Sequence, residues 1–270
     1  MTESAAALAI PLIPAALALP VAAGLGALIG SFMTVVVQRV PQGMSVVRSC
    51  SRCPQCAHRI AWFDSLPVLS YFALRGRCRH CGAPISSRYP LIEALTAVVF
   101  VLVIWAAYRG TQPAILTPLL LYWAATAVAL GFIDLEHHRL PNVIVLPAYV
   151  VSAVMLVIAS IVTGEYGRLA SAAIGMLALG GFYFALATLQ SGGMGSGDVK
   201  LAGALGMILG WLGWAQLVVG GFAAFLLGGA FAVALMVSGR ANRKTALPFG
   251  PFMMLGAAVG VYADPASVLL

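Results

Sequence analysis

Charge is scarce in this chain of 270 residues, because Lys, Arg, Asp and Glu together make up only 9% of it. Soluble globular chains carry about 25% charged residues. Hydrophobic residues make up 61% of the chain, and a soluble fold of this length could not bury that much apolar surface. A disordered chain is excluded as well, because disorder needs the opposite composition. The apolar runs also lack the alternation of barrel strands. The sequence therefore predicts an all-α polytopic membrane protein embedded in a lipid bilayer.

Positive charge is absent from residues 1–38, which contain no Lys or Arg. A secretory signal peptide requires a cationic n-region, so we expect none here. The first basic residue, Arg39, follows the first hydrophobic run, and eight arginines fall between residues 39 and 88. Because basic residues mark cytoplasmic loops, we expect an external N-terminus and a cytoplasmic segment over 39–89. This placement explains the net charge of +7 better than nucleic-acid binding does, so we expect no nucleic-acid partner.

Hydrophobic runs of helical length recur along the chain and predict about eight transmembrane helices. They lie at about 15–37, 90–108, 114–133, 140–162, 169–189, 199–212, 215–237 and 248–262. With eight spans, the chain is on the cytoplasmic side at each later cluster of basic residues, in agreement with the positive-inside rule. Three parts follow: a first transmembrane helix (1–38), a cytoplasmic cysteine-rich domain (39–89) and a transmembrane domain (90–270).

Two C-x-x-C pairs lie in the loop between predicted helices 1 and 2, separated by 21 residues. Their members are Cys53, Cys56, Cys78 and Cys81. Four thiolates fill a tetrahedral zinc site and leave no position for substrate, so the pattern predicts a structural, zinc-ribbon-like centre. Disulfides are the alternative, which a reducing cytoplasm disfavours. Gly82 follows the second pair, where a tight turn is needed, and Cys50 is interpreted as a bystander.

Two carboxylates stand at the ends of predicted spans on one side of the membrane. Asp134 ends the third span, and Asp198 begins the sixth within Gly195-Ser-Gly197-Asp198. Ionisable residues at membrane depth are functional candidates, and two carboxylates held together share a proton, which suits water activation and protonation of a leaving amine. Gly195 and Gly197 would admit a substrate strand, while Lys200 either tunes the local charge or snorkels. Alternatively, each aspartate merely ends or caps a helix.

Other polar or irregular positions have two interpretations each. Glu93, near the start of the second span, faces either the bundle interior or the interface. His137 and His138 could bind metal, but adjacent imidazoles point in different directions on a helix. The segment Pro248-Phe-Gly-Pro251 either receives an extended peptide or simply begins the last helix.

Taken in order, these motifs resemble the prepilin peptidases, the membrane enzymes of type IV pilus and type II secretion systems. The matching motifs are Gly30-Ser-Phe32, Cys53-Pro-Gln-Cys56, Asp64-Ser-Leu-Pro67, Gly76-Arg-Cys-Arg-His-Cys81, Arg88-Tyr-Pro90 with Glu93, Asp134 with Leu140-Pro141, Gly195-Ser-Gly-Asp198 with Lys200, and Pro248-Phe-Gly-Pro251. Thr34 and Asn142 depart from the family pattern, which usually has asparagine at the first position and an acidic residue at the second.

The resemblance implies a bifunctional enzyme of the bacterial cytoplasmic (inner) membrane. Such enzymes remove the basic leader from prepilins and pseudopilins at the cytoplasmic face, after a glycine. They then N-methylate the new N-terminal residue with S-adenosylmethionine as donor; the residues that bind this donor are not assigned. Asp134 and Asp198 match the family's catalytic aspartates, which makes 90–270 an aspartic peptidase domain. The cysteine loop matches the region linked with methylation.

Two other functions are compatible with parts of the pattern. One is a presenilin-like intramembrane protease with different substrates, which the Gly-x-Gly-Asp motif would suit but the cysteine loop argues against. The other is a non-enzymatic assembly or transport protein with a zinc-stabilised docking module. A transport path usually shows polar groups along its whole depth, whereas these cluster at one side.

Overall fold

The computed structural model describes residues 14–46, 52–189, 195–240, 242, 245 and 247–262. Within these ranges the fold is helical, without β-strands, as the sequence predicts. The α-helices are α1 (Ala15–Arg39), α2 (Leu69–Ala73), α3 (Arg88–Tyr108), α4 (Thr117–His137), α5 (Asn142–Thr163), α6 (Gly167–Leu189), α7 (Ser196–Leu212), α8 (Trp214–Val237) and α9 (Gly250–Tyr262). The described residues form two compact units, one of 14–109 with 120–129 and the other of 110–119 with 130–262.

In the first unit, α1 and α3 pack together at two glycines of α1. A Cβ on Gly26 would lie 2.7 Å from the Cα of Ala97, and one on Gly30 would lie 2.7 Å from the Cα of Glu93. Glycines four residues apart share a helix face and let two membrane helices approach closely. Between these helices, the chain forms the cysteine-rich module, which contains α2 and a 3₁₀ turn at Trp62–Ser65.

Helix α7 is the core of the second unit, where it packs against α5, α6, α8 and α9. Every residue from Leu201 to Trp211 is buried. The indole Nε1 of Trp211 donates a hydrogen bond to Ser160 Oγ of α5 over 2.9 Å, so the buried donor is satisfied. Gly206 and Gly210 meet the backbone of α6, and this close approach contributes to the burial of α7.

The membrane-spanning helices number six within the described residues, each at least 18 residues long and strongly apolar. The sequence predicts about eight, and the difference concerns α7 and α9. With 17 and 13 residues these helices extend about 26 Å and 20 Å, less than the hydrocarbon thickness of about 30 Å. Both occupy places predicted as spans, and α7 is enclosed by protein. The chain is thus a multi-pass membrane protein, and α7 and α9 are shorter than full spans within the residues that the structure describes.

Candidate active site

Asp134 lies in the last turn of α4, which continues four residues past the predicted span end at 133. Asp134 is buried, at 4% exposure. Its Oδ2 accepts a hydrogen bond from the backbone N–H of Gly250 over 2.9 Å. Gly250 is the first residue of α9, so this N–H has no partner inside its own helix. A Cβ at position 250 would lie 2.8 Å from the same oxygen, and therefore only glycine permits this approach.

Asp198 is the third residue of α7, and its side chain returns to the start of that helix. Its Oδ2 accepts a hydrogen bond from the backbone N–H of Gly195 over 3.2 Å. This is the capping contact that the sequence allows as an alternative role for an aspartate. The rest of the glycine-rich stretch, residues 191–194, lies outside the described residues.

Two contacts hold the start of α7 against the segment that follows Asp134. A Cβ on Gly197 would lie 2.9 Å from the Cβ of Leu140, so the two residues are in close contact. Lys200 Nζ donates a hydrogen bond to Asn142 Oδ1, at the first residue of α5, over 2.9 Å. Lys200 therefore bonds a neighbouring helix, a role that sequence reasoning missed. The end of α4 and the starts of α5, α7 and α9 meet at one end of this unit.

The two aspartates are close enough for their carboxylates to interact electrostatically. Asp198 also lies within electrostatic reach of the Tyr183 side chain on α6. Two partly buried carboxylates with few compensating charges resist simultaneous ionisation, because each negative charge raises the cost of the other. Such a pair can hold one proton between two acids, as proton transfer to and from a substrate requires.

An aromatic cluster lines the side of α6 next to Asp198. Tyr183, only 1% exposed, has its ring centroid 5.3 Å from that of Phe225 and 6.2 Å from that of Phe249. Phe249 immediately precedes the glycine that bonds Asp134. Sequence reasoning missed Tyr183, because a tyrosine within an apolar span carries no signal of what it will face. The sequence marks the Pro248–Pro251 segment as irregular but does not predict its backbone contact with Asp134.

His137 and His138 end α4 and are not part of a metal-ligand cluster in the described part of the chain. His138 adopts a left-handed conformation with φ of 49°, and its N–H bonds the carbonyl oxygen of Asp134 over 2.8 Å. It therefore terminates the helix in the manner of a C-cap.

The cysteine-rich module brings its four predicted ligands together. The four Sγ atoms all lie within 4.8 Å of one another, and those of Cys53 and Cys81 are 3.8 Å apart, with no disulfide formed among the four. A tetrahedral zinc with zinc–sulfur distances of about 2.3 Å has sulfur–sulfur edges of about 3.8 Å. The donor set and its dimensions fit one metal ion. Cys50 lies outside the described residues.

The two C-x-x-C knuckles have the same backbone geometry. In each, the residue after the second cysteine is left-handed: Ala57 with φ of 55° and Gly82 with φ of 70°. The turn predicted at Gly82 is thus present, and alanine occupies the equivalent turn of the other knuckle. Backbone N–H groups of Cys56 and Gln55 lower the pKa of the Cys53 thiol to about 6, which favours the thiolate that binds a metal.

Asp64 and Arg79 form the ion pair that joins the segment between the knuckles to the second knuckle. Arg79 Nη2 lies 2.6 Å from Asp64 Oδ1, and Nε donates a second bond to the carboxylate. These bonds hold the pKa of the Asp64 carboxyl below its usual range.

Comparison with known proteins gives two matching family models. Residues 25–107 match the bacterial peptidase A24 N-terminal domain, and residues 119–233 match the type IV leader peptidase family. A prepilin leader peptidase/N-methyltransferase of Aeromonas salmonicida (strain A449) is 35% identical over 260 residues, with 84% of each chain covered. The chain belongs to the type IV leader peptidase family. The candidate residues for catalysis and metal binding lie within the two matched regions, except those after residue 233.

Two further relatives of this leader peptidase family have the same name. One, from Pseudomonas putida, is 34% identical over 268 residues, with 88% of each chain covered. The other, from Myxococcus xanthus (strain DK1622), is 38% identical over 192 residues, 69% of this chain but only 55% of the relative. The chain thus spans about half of that relative and more than four fifths of the other two. No solved structure matches this chain.

Proposed function

We propose that the chain cleaves the leader peptide of type IV prepilins and type II secretion pseudopilins and then N-methylates the new N-terminal residue. One observation carries the peptidase part. Asp134 and Asp198, far apart in sequence, interact electrostatically where the end of α4 meets the starts of α7 and α9. Membership of the leader peptidase family, and the names of its relatives, support the choice of substrate. They also favour an enzyme over a transport or docking protein.

The proposed mechanism uses the aspartate pair as an acid and a base. The ionised carboxylate removes a proton from water, whose oxygen bonds to the scissile carbonyl carbon, while the protonated carboxyl hydrogen-bonds the carbonyl oxygen. Collapse of the tetrahedral intermediate breaks the carbon–nitrogen bond, and the leaving amine takes a proton from the pair. Gly250 N–H holds Asp134 in place during these steps, and Gly195 N–H holds Asp198.

The methylation part rests on the cysteine-rich module and on the names of the relatives. We assign Cys53, Cys56, Cys78 and Cys81 as ligands of a structural zinc ion, which would stabilise the module when bound. S-adenosylmethionine would supply the methyl group, which passes to the free α-amine exposed by cleavage. The sequence of steps follows from this chemistry, because no free amine exists at that residue before the leader is removed.

We also infer an orientation in the bacterial inner membrane. The module and both aspartates would face the cytoplasm, where the arginines of 39–88 satisfy the positive-inside rule. A basic leader that remains in the cytoplasm would then meet the aspartates on the same side.

The test uses the full chain in lipid nanodiscs with a synthetic prepilin segment, followed by mass spectrometry with and without S-adenosylmethionine. Loss of the leader, and a mass increase of one methyl group on the new N-terminus, are the expected products. Asp134→Asn and Asp198→Asn should each abolish cleavage, because either change leaves one carboxyl group where the mechanism needs both an acid and a base. Gln55→Ala, in an exposed knuckle position, is a matched control and should leave cleavage unchanged.

Cleavage retained in both Asp→Asn variants would overturn the assignment of the pair. An unrelated membrane segment that is cut as well as the prepilin segment would instead favour a presenilin-like protease. Absence of any peptide product from folded, metal-loaded protein would favour the docking or transport function.

A further inference from the structure

Apolar side chains are exposed in the middle of the cysteine-rich module, outside the helices long enough to span a membrane. Leu69 and Phe72 of α2 are each 69% exposed, and Leu66 is 41% exposed. Large apolar groups at this exposure leave apolar surface in contact with solvent, and lipid would remove it from water. Their position in the fold indicates what covers them.

The start of α2 is attached to the side of a membrane helix. The backbone N–H of Val68, one residue before α2, donates a 2.7 Å hydrogen bond to Glu93 Oε2 of α3. Glu93 is only 8% exposed, and Ser31 of α1 also hydrogen-bonds its carboxylate. Val68 has φ of 60° and ψ of −48°, a positive-φ conformation that a β-branched residue rarely adopts. The Glu93 carboxylate holds this turn against both α1 and α3.

The level of this attachment lies within the apolar part of both helices. Leu91, two residues before Glu93 on α3, is 55% exposed; on α1, Phe32 is 49% exposed and adjoins Ser31. The apolar run of α1 continues to Val37, which is about 9 Å further along the helix. Exposed apolar side chains on helices of this length and hydropathy are expected to face lipid, which would put the Val68 turn at the edge of the hydrocarbon region.

We propose that residues 66–72 are a membrane-inserted segment of the module, whose Leu66, Leu69 and Phe72 side chains enter the lipid of the same bilayer that α1 and α3 span. Glu93 satisfies the backbone N–H of Val68, which would be costly to leave unpaired at this depth. Arg75 and Arg77 follow directly and are exposed, placed to reach lipid phosphates at the edge of the segment.

Photo-crosslinking in the full-length protein tests this directly. The photoreactive residue p-benzoylphenylalanine replaces one side chain at a time in chains reconstituted into nanodiscs, and irradiated samples are digested and searched for peptide–phospholipid adducts. Phe72→benzoylphenylalanine and Leu69→benzoylphenylalanine should give lipid adducts at a yield comparable with that at Leu102, a 51% exposed position on α3. Gln55→benzoylphenylalanine, exposed on the first knuckle, should give none.

Several outcomes would overturn the proposal. Yields at 69 and 72 no higher than at Gln55 would place these side chains in water. Adducts that join two chains would assign the surface to a second copy of the protein. Adducts to another segment of the same chain would assign it to an internal contact.

Glu93 variants test the attachment itself, in chains that carry benzoylphenylalanine at 72. Glu93→Ala should lower the lipid yield severalfold, whereas Glu93→Gln, which keeps an acceptor oxygen, should retain it. An unchanged yield in Glu93→Ala would show that the Val68 bond does not hold the segment. Bound zinc, measured by elemental analysis in every variant, reports whether the module is folded, independently of any enzymatic activity.

Discussion

At the scale of single residues, Asp134 depends on a main-chain donor from another helix. A carboxylate at a helix N-terminus gains from the unpaired N–H groups there and from the partial positive charge of the helix end. Gly250 begins α9 and provides one such N–H at 2.9 Å. The absence of a side chain at 250 is what allows the carboxylate to reach it.

Gly250→Ala should therefore impair leader cleavage while the protein stays folded. The added methyl group would lie 2.8 Å from Asp134 Oδ2, so the carboxylate must move. A displacement of about 1 Å at a reacting group costs on the order of 10²-fold in rate. The measurement is the cleavage rate of a prepilin segment at saturating substrate, together with thermal unfolding.

Gly229→Ala is the matched control, because a Cβ at that glycine of α8 has no atom within 4 Å. It should cleave at the wild-type rate. An active Gly250→Ala enzyme would show that cleavage tolerates displacement of the Asp134 carboxylate.

A substitution at Asn142 should stabilise the protein. Its Oδ1 accepts a hydrogen bond from Lys200 Nζ at 2.9 Å, and Asn142→Asp would convert this contact into an ion pair. Because this contact is exposed to solvent, the gain should be under about 1 kcal/mol and should decrease with salt. Thermal unfolding at low and high ionic strength measures it. A salt-independent change would mean that the two side chains do not pair in solution.

At the scale of elements, glycines set the distance between α6 and α7. A Cβ on Gly206 would lie 2.8 Å from Leu179 Cβ and 3.0 Å from the carbonyl carbon of Gly175. Three glycines of these helices, Gly175, Gly206 and Gly210, thus meet backbone to backbone. The interface positions α7, and therefore Asp198 at its start.

Gly206→Ala should separate the two helices and destabilise the protein by about 1–3 kcal/mol, the usual cost of overpacking. Gly181→Ala, on α6 but with no atom within 4 Å of the new Cβ, should have little effect. Thermal unfolding of both variants in the same detergent gives the comparison. Equal melting temperatures for the two would contradict the close packing of α6 on α7.

The two cysteine knuckles form a matched pair of elements. Ala57 and Gly82 occupy the same left-handed turn, and the conformation costs a non-glycine residue about 1–2 kcal/mol. Ala57→Gly should therefore make zinc harder to remove with a chelator, and Gly82→Ala should make it easier. Chelator titration followed by a colorimetric zinc indicator measures both. If the chelator concentration that removes zinc shifted in the same direction for both variants, the two turns would not be equivalent.

At the scale of the whole molecule, the four cysteines and the two aspartates belong to different compact units. Combined Cys53→Ser and Cys56→Ser substitutions should release the zinc and unfold the module, because two of the four ligands are lost. Methylation should be abolished, while leader cleavage should persist at a reduced or unchanged rate. Mass spectrometry of the prepilin product reads both activities in one sample. Loss of cleavage to the level of Asp198→Asn would show that the peptidase requires the module.

Features that depend on short stretches of sequence could be predicted. Cysteine spacing indicated the four-sulfur cluster, and hydropathy located the helices to within a few residues. Tyr183 and Gly250 could not be predicted as neighbours of the aspartates, because packing between distant helices decides what a buried tyrosine or a backbone N–H meets. Helix count also differed, since hydropathy does not distinguish a lipid-facing span from a helix such as α7 that is buried by protein.

The bond between Gly250 and Asp134 has a consequence for genetic screens. The donor is a main-chain N–H, so no side-chain replacement other than proline removes it. A saturation screen at 250 would record intolerance to bulk and would miss the hydrogen bond itself. Semisynthesis with an ester in place of that amide would delete the donor while keeping glycine, and would separate the polar contribution of α9 from the steric one.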